Sequence, residues 1–385
     1  MALRNKTKEK QIQEPLFHLI KRDALPLYKS ALIRLSAILL ALLFSGILTF
    51  ILTKVSPFTV YQKMLHGTLG NRTNILTTIE SLALLLCVSL AVTPAFKMRF
   101  WNIGAEGQVL VGGLATATCM YYLSDLPLGL LMVFMFFTSL LAGAIWGIIP
   151  AYFKANWGTN ETLFTLMMNY VAMRLIEFFM KKWNQNSASV DFTKLDRDLR
   201  INALFNGQTD SHIRKYLFCI LSVLLIAIFL YVYLRYSKHG YEISVVGESE
   251  NTARYIGINV KKVTIRTMAL SGIICGFAGF LLVGTSQNIS PDIADGRGFT
   301  AIMVSWLAKF NPIMMILASF LLVFLDLGMA EVATSMNLTT SLSDIITGIM
   351  LFFIIGCEFF IQYKLVPGHR IKSLFQSKKP NKEVA

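Results

Sequence analysis

Polar side chains stand at the start of an apolar stretch of the chain, where a membrane would make them costly. They are Asn102, Glu106 and Gln108, in the run Asn-Ile-Gly-Ala-Glu-Gly-Gln. A carboxylate at the centre of a bilayer costs about 2.5–3.5 kcal/mol, so Glu106 should face a cavity or a partner. If the helix is interrupted here, its free N–H groups and these three side chains could line a polar pathway. The alternative is that Glu106 lies near the membrane interface and only anchors the helix start.

A second polar group opens a later apolar stretch. Asn160 and Glu161 suit the start of a helix, where a carboxylate offsets the helix dipole. Arg174 and Glu177 are three residues apart, a spacing that favours a local pair on one helix face. Asn169 has no such neighbour in the sequence. It is therefore the better candidate for a polar pathway.

The chain lacks the sequence patterns of the common catalytic and cofactor sites. No phosphate-binding G-x-x-x-x-G-K-[ST], Gly-rich dinucleotide turn or H-E-x-x-H is present, and neither the cysteines nor the histidines have metal-ligand spacing. The sequence thus indicates no catalytic residue, metal or cofactor. The net charge of +14 does not favour nucleic acid, because the basic residues lie between apolar blocks. That placement is typical of cytoplasmic loops facing anionic lipid.

The elements that must position these residues are membrane-spanning helices. Of the 385 residues, 55% are hydrophobic and only 15% charged. A span needs about 20 apolar residues. The sequence predicts an all-α membrane protein with about ten spans, or eight at the least. The predicted segments are 32–53, 75–94, 103–123, 127–151, 161–180, 215–235, 265–286, 298–309, 312–330 and 342–363.

The eighth predicted segment, 298–309, is too short to span a membrane alone. It is tilted, re-entrant, or one half of a helix broken at Asn311-Pro312. With the amino terminus inside, the cytoplasmic loops hold 23 Lys and Arg and the outer loops eleven. This asymmetry predicts that both termini are cytoplasmic. The predicted regions are a cytoplasmic tail (1–30), a transmembrane domain (31–363) with an outer loop (181–214), and a basic cytoplasmic tail (364–385).

A long polar loop, 236–264, falls on the predicted cytoplasmic side. It contains a short helix ending at Tyr255, with Ser249 as N-cap and Gly257 as terminator. Such a helix across the ends of two spans could transmit force from a soluble partner. An ordinary solvated loop is the alternative that the residues alone leave open.

Four stretches resemble, in order, motifs of the membrane permeases of bacterial ABC importers for nucleosides and simple sugars, in the branched-chain-amino-acid/ribose permease superfamily. The resemblance runs from about residue 75 to 360. Departures from the family pattern are Ser249, Thr252, Ala308 and Glu80. The stretches are Asn102–Gln108 with the following VLVGGLATA; Gly158-Thr-Asn-Glu-Thr with Thr165 and Met168-Asn169-Tyr170; Gly247–Gly257; and Gly296–Ile302 with Pro312.

The resemblance implies a type II ABC importer-like fold in the bacterial cytoplasmic (inner) membrane. Its partners would be a second permease chain, often a paralogue, a cytoplasmic ABC ATPase that carries ATP and Mg²⁺, and an extracytoplasmic substrate-binding lipoprotein. Residues 240–258 would then form a coupling helix docked on the ATPase, and transport would proceed by alternating access. The residues that match the family's coupling loop are Gly247, Glu248, Ala253, Arg254, Tyr255 and Gly257.

The expected function is therefore the translocation of nucleosides or related ribosyl compounds, with ATP hydrolysed on another chain. The same machinery with a simple sugar or a flavin-like cargo is an alternative. An ion-coupled secondary transporter is another alternative, with Glu80, Glu106 or Asp344 as the ion-coupling acid.

Overall fold

The computed structural model describes residues 17–22, 26–183, 189–192, 211–336 and 338–367. Most of the predicted tails 1–30 and 364–385 lies outside these residues, as do most of the loop 181–214 and the side chain of Asp344. Contacts divide the chain into two units, one of residues 1–60 with 344–385 and one of residues 61–343.

Helices make up most of the described chain, which confirms the predicted helical class. The helices are α1 (Leu27–Thr53), α2 (Pro57–Leu69), α3 (Arg72–Lys97), α4 (Ala105–Tyr122), α5 (Leu128–Trp157), α6 (Glu161–Trp183), α7 (Ser211–Tyr236), α8 (Lys238–Glu248), α9 (Glu250–Tyr255), α10 (Val260–Ser286), α11 (Arg297–Leu307), α12 (Pro312–Ser335) and α13 (Thr340–Gln362). The strands are β1 (Phe17–Lys21), β2 (Val190–Asp191), β3 (Asn288–Ile289) and β4 (Tyr363–Pro367).

A helix lies at each of the ten predicted apolar segments. Within the described residues, six helices are long and apolar enough to cross a membrane, namely α3, α5, α6, α7, α10 and α12. Shorter apolar stretches lie in α1 and α13. The number of ten spans therefore stays a prediction. Several helices also run past their apolar borders. For example, α5 ends at Trp157 although its apolar block ends at residue 151.

Helix α10 lies at the centre of the larger unit, where it packs against α3, α4 and α5. Most of its side chains are buried within the chain. At its crossing with α5 the two backbones touch, since a Cβ on Gly272 would collide with the carbonyl oxygen of Gly143. Small residues permit such close approach between helices in a membrane.

Helix α3 packs against α7, α11 and α12 on its other sides. After α11, Lys309 and Phe310 adopt left-handed backbone conformations. Helix α12 then starts at Pro312, and the Oδ1 of Asn311 accepts a hydrogen bond from the N–H of Ile313 at 3.1 Å. The short eighth segment is thus a separate helix joined to α12 by a tight turn at the predicted break.

Two pairs of short strands complete the described chain. In the smaller unit β1 pairs antiparallel with β4, and the rings of Phe44 and Phe353 lie 5.7 Å apart between α1 and α13. In the larger unit β2 pairs antiparallel with β3, with Val190 opposite Ile289. The second pair ties part of the predicted outer loop to the segment that follows α10.

Candidate functional site: a helix that starts inside the bundle, and a helical surface at its end

The connection between α3 and α4 runs deep into the helix bundle. Helix α3 closes with a left-handed Arg99, and the N–H of Phe100 donates to the carbonyl of Ala95 at 2.9 Å. Beyond this turn, Asn102 Nδ2 donates to Ser271 Oγ of α10 at 3.2 Å. Ser271 comes eleven residues after the first residue of α10, which is roughly 16 Å along that helix. Helix α4 therefore starts well inside the bundle. At that depth, the free backbone N–H groups of a helix start need hydrogen-bond partners from protein or water.

Asn102 organises the turn into α4. Its Oδ1 accepts from the N–H of Gly104 at 3.0 Å and lies 3.5 Å from Gln108 Nε2. Asn102 and Gln108 are buried. Two buried polar atoms beside this cluster, Gln108 Oε1 and Trp146 Nε1, have no hydrogen-bond partner among the described residues. The cluster thus keeps spare hydrogen-bonding capacity for water or another polar group.

Asn169 joins α6 to the start of α4. Its Oδ1 accepts from the N–H of Gly107 at 2.8 Å, and its Nδ2 donates to the carbonyl of Ile103 at 2.9 Å. The Thr165 hydroxyl accepts from the N–H of Ile103 at 3.2 Å. The first N–H groups of a helix lack partners within it. The Asn169 side chain supplies one of these missing partners, and it is buried in doing so.

Glu106 joins the start of α4 to the start of α11. Its two carboxylate oxygens accept from the N–H groups of Gly296, at 2.9 Å, and Gly298, at 2.6 Å. The N-cap residue Gly296 has no side chain to cap α11 itself. A carboxylate at a helix N-terminus is favoured by the helix dipole and by hydrogen bonds to a charged acceptor. Glu106 is only 3% exposed, so lipid does not surround it.

The structure does not bring Asn160 to this cluster. Asn160 is the exposed N-cap of α6, and its Oδ1 accepts from the N–H groups of Thr162 and Leu163 at 3.0 and 3.2 Å. Nine residues separate it from Asn169, roughly 14 Å along the helix. Beside it, Lys154 Nζ lies 2.8 Å from a carboxylate oxygen of Glu161. The predicted local pair of Arg174 and Glu177 is present in the structure.

The sequence did not reveal which distant residues contact the start of α4. Glu106 was a candidate, but its partners Gly296 and Gly298 were known only as part of a family motif. Ser271 carried no signal, since a serine in an apolar helix is common. The Gly-Arg-Gly run at the start of a short helix was the one available sign of a backbone site that needs a partner.

Two aromatic rings stack at the opposite end of α11. The rings of Trp101 and Trp306 lie 5.6 Å apart with an interplanar angle of 26°. Each indole is about half exposed. They border a cleft of about 330 Å³ whose other lining residues are Phe96, Lys97, Arg99 and Phe310. The segment 101–106 thus contacts α11 at both of its ends.

Within the polar loop 236–264, two short helices, α8 and α9, lie between the end of α7 and the start of α10 at Val260. The Ser237 hydroxyl caps α8 by accepting from the N–H of Gly240 at 3.0 Å. Ser249 ends α8 and caps α9, accepting from the N–H of Thr252 at 3.2 Å. The predicted short helix is confirmed with the predicted cap, and Gly257 has a left-handed φ of 84°. The residues alone did not predict α8 (Lys238–Glu248), although the coupling helix that the resemblance implied over 240–258 covers most of it.

One face of these two helices is buried against the bundle. Ile243, Val246 and Ala253 belong to a hydrophobic cluster that includes Met98 and Phe100 of the turn after α3. Gly247 makes the closest contact, because a Cβ there would collide with the carbonyl oxygen of Lys97. The α8–α9 pair is therefore seated directly on the segment that leads into α4.

The opposite face is solvent-exposed. Tyr255 is 93% exposed, Tyr241 is more than half exposed, and Ile256 is half exposed. Glu248 and Arg254 are also exposed, and Arg254 lies 3.4 Å from Glu250. Tyrosine and arginine are enriched at protein–protein interfaces, and both are exposed on this face. We call residues 241–257 the α8–α9 surface.

An ion pair fixes α8 to α10. An Arg266 guanidinium nitrogen donates to the Glu242 carboxylate at 2.9 Å, and His239 Nδ1 lies 3.6 Å from the same oxygen. The bond from Arg266 holds the pKa of Glu242 below its ordinary value. Within the described residues no three His, Cys, Asp or Glu side chains are grouped as a metal site.

The long apolar helices, the helix that starts inside the bundle and the exposed two-helix surface together define a membrane transport protein. Residues 73–355 match the family described as branched-chain amino acid transport system / permease component, which covers well over half of the chain. The chain belongs to this family.

The alignments with three curated relatives cover most of this chain and most of each relative. The guanosine ABC transporter permease NupP of Bacillus subtilis is 29% identical over 84% of this chain and 92% of its own. The glucose ABC transporter permease TsgB13 of Haloferax volcanii is 28% identical, over 85% and 87%. The nucleoside ABC transporter permease NupB of Lactococcus lactis is 26% identical, over 84% and 90%. The chain is thus a transport subunit of the ABC permease type.

Proposed function

We propose that this chain is the permease subunit of an ATP-driven importer for nucleosides or related ribosyl compounds. The similarity to NupP and NupB, described as guanosine and nucleoside permeases, supports this cargo. A simple sugar is the second candidate cargo, because a glucose permease is nearly as similar over the same length.

The α8–α9 surface is the observation that supports movement of this chain by a separate ATPase subunit. The buried side of α8 and α9 packs on the turn after α3. The other side is exposed, and Tyr255 on it is almost fully exposed among the described residues. A separate ATPase, which binds ATP and Mg²⁺, docks on this face and pushes on the bundle through it. The proposed coupling residues are Gly247, Glu248, Ala253, Arg254, Tyr255 and Gly257.

The transport pathway passes the interrupted start of α4. Its proposed residues are Asn102, Glu106, Gln108, Asn160 and Asn169, four of which are buried in one region while Asn160 lies at the exposed start of α6. Their hydrogen bonds support a role in holding the wall of the pathway. Discontinuous helices with polar side chains at the break are a recurrent design of transporter pathways.

The proposed assembly places about ten spans in a bacterial inner membrane with both termini in the cytoplasm. A second, paralogous permease chain and an extracytoplasmic binding lipoprotein complete it. An ion-coupled mechanism through Glu106 has less support, because both oxygens of that carboxylate accept backbone N–H groups.

Substitution of Tyr255 by Ala tests the coupling role. Tyr255 is almost fully exposed, so its loss should leave the stability of the permease unchanged within about 0.5 kcal/mol. Nucleoside uptake in cells and co-purification of the ATPase should both fall about tenfold, as expected for loss of a central interface tyrosine. Lys238→Ala, outside the α8–α9 surface, serves as control. Normal uptake in Tyr255→Ala would refute the coupling assignment.

A further inference from the structure

Both ends of helix α11 contact residues 101–106, which lead from the turn after α3 into the first turn of α4. Its start is held by the Glu106 carboxylate through the N–H groups of Gly296 and Gly298. Its end is held by the stacking of Trp306 on Trp101. The Ser305 hydroxyl also donates to the carbonyl of Ser89 in α3 at 2.9 Å.

The start of α11 is capped by Glu106, because the helix has no side-chain cap of its own. The helix has only 11 residues. Isolated helices of this length are marginal, so their ends need outside partners. Gly298 is packed so closely that a Cβ would collide with the backbone nitrogen of Glu106. The two helix starts therefore interlock around one carboxylate.

The same segment is in contact with the α8–α9 surface at its other end. Gly247 touches the carbonyl of Lys97, and Met98 and Phe100 share a hydrophobic cluster with α8 and α9. From this turn the chain passes through Trp101 to Glu106. An unbroken series of contacts thus joins α9 and α8 to residues 97–106 and then to α11.

We propose that Glu106 is a positioning residue that makes α11 move together with residues 97–106 when the α8–α9 surface is displaced. This role rests on the proposed function, because it needs a partner that displaces the surface. Glu106 acts here through its two hydrogen bonds to the start of α11, a helix whose Phe299 and Trp306 are exposed. A contiguous series of contacts becomes a coupling path only when breaking one link uncouples the two ends.

The test is the number of nucleoside molecules transported per ATP hydrolysed by the whole reconstituted importer. Glu106→Gln keeps the size of the side chain, but its amide NH₂ faces one of the two N–H groups. We expect ATP hydrolysis within twofold of wild type and a transport-to-hydrolysis ratio lowered about tenfold or more, as for loss of a hydrogen bond to a charged group. Glu106→Asp, whose carboxylate is one methylene short, should lower the ratio in the same way.

Glu161→Gln is the matched control, since it removes a carboxylate at the start of α6 that pairs with Lys154 near the end of α5, where both side chains are partly exposed. Its ratio should equal that of wild type. A merely structural role of Glu106 would lower hydrolysis and transport together and leave the ratio unchanged, and this result would overturn the proposal. Failure of both Glu106 variants to assemble would also overturn it, because the carboxylate would then serve the fold alone. If instead the wild-type importer moves neither nucleoside nor sugar, the proposed function fails.

Discussion

At the scale of residues, the buried polar side chains supply hydrogen bonds that an interrupted helix lacks. Asn102, Asn169 and Glu106 each contact backbone N–H groups, at the start of α4 or of α11. A buried polar group without such a partner costs free energy in proportion to its lost hydration. These residues are therefore placed where the backbone is broken, and each connects α4 to a different part of the bundle.

Asn169→Ala removes one buried and one partly buried hydrogen bond and leaves the N–H of Gly107 and the carbonyl of Ile103 unpaired. We expect a loss of about 2–6 kcal/mol, at about 1–3 kcal/mol for each of the two unsatisfied groups. Asn160→Ala removes only an exposed helix cap and should cost about 1 kcal/mol. Thermal unfolding of both variants in detergent checks this, and equal destabilisation would contradict the role of Asn169.

The ion pair of Glu242 and Arg266 should stabilise the protein only above acidic pH. The pKa of Glu242 is lowered in the folded chain, so the pair contributes fully above the unfolded value of about 4.3. The contribution is lost as the pH falls through the lower, folded pKa. Both side chains keep some contact with solvent, which limits the contribution of the pair to about 1 kcal/mol.

Glu242→Gln should therefore lower the melting temperature at pH 7 and have progressively less effect as the pH is brought below 4.3. The control is Glu250→Gln, which removes an exposed pair with Arg254 and should change little at any pH. A melting-temperature difference for Glu242→Gln that stays constant across this range would refute the assigned pair.

At the scale of elements, α8 and α9 differ in how far their sequence predicts them. Helix α9 has local signals, namely the Ser249 cap and the Gly257 terminator, and it was predicted. Helix α8 contains Gly240 and Gly247 and several β-branched residues, which have weak helix propensity. It is helical because Ile243 and Val246 are buried against the bundle, and tertiary burial of this kind cannot be read from a local pattern.

Gly247→Ala should loosen the seat of α8 on the turn after α3. The added Cβ would collide with the carbonyl of Lys97, a backbone atom that cannot rotate away. We expect a loss of about 1–3 kcal/mol, typical of overpacking. Gly129→Ala is the control, because open space surrounds that position near the start of α5. Thermal unfolding that ranks the two variants equally would contradict the contact.

At the scale of the whole molecule, the sequence predicts where helices lie better than which of them meet. Apolar blocks of about 20 residues identify helices without any knowledge of their neighbours. The contact of Glu106 with Gly296 joins residues 190 positions apart, and polarity alone does not name such a partner. Family motifs marked both stretches, but only the structure brings them together.

In the proposed mechanism the chain is a conduit that does no work itself and is moved through its α8–α9 surface. The most direct test is uptake of radiolabelled guanosine into proteoliposomes that contain either this permease alone or the full importer with its ATPase, second permease and binding protein. Accumulation against a gradient should occur only in the full importer and only with ATP. Accumulation by the permease alone, with or without an ion gradient, would contradict the proposed mechanism.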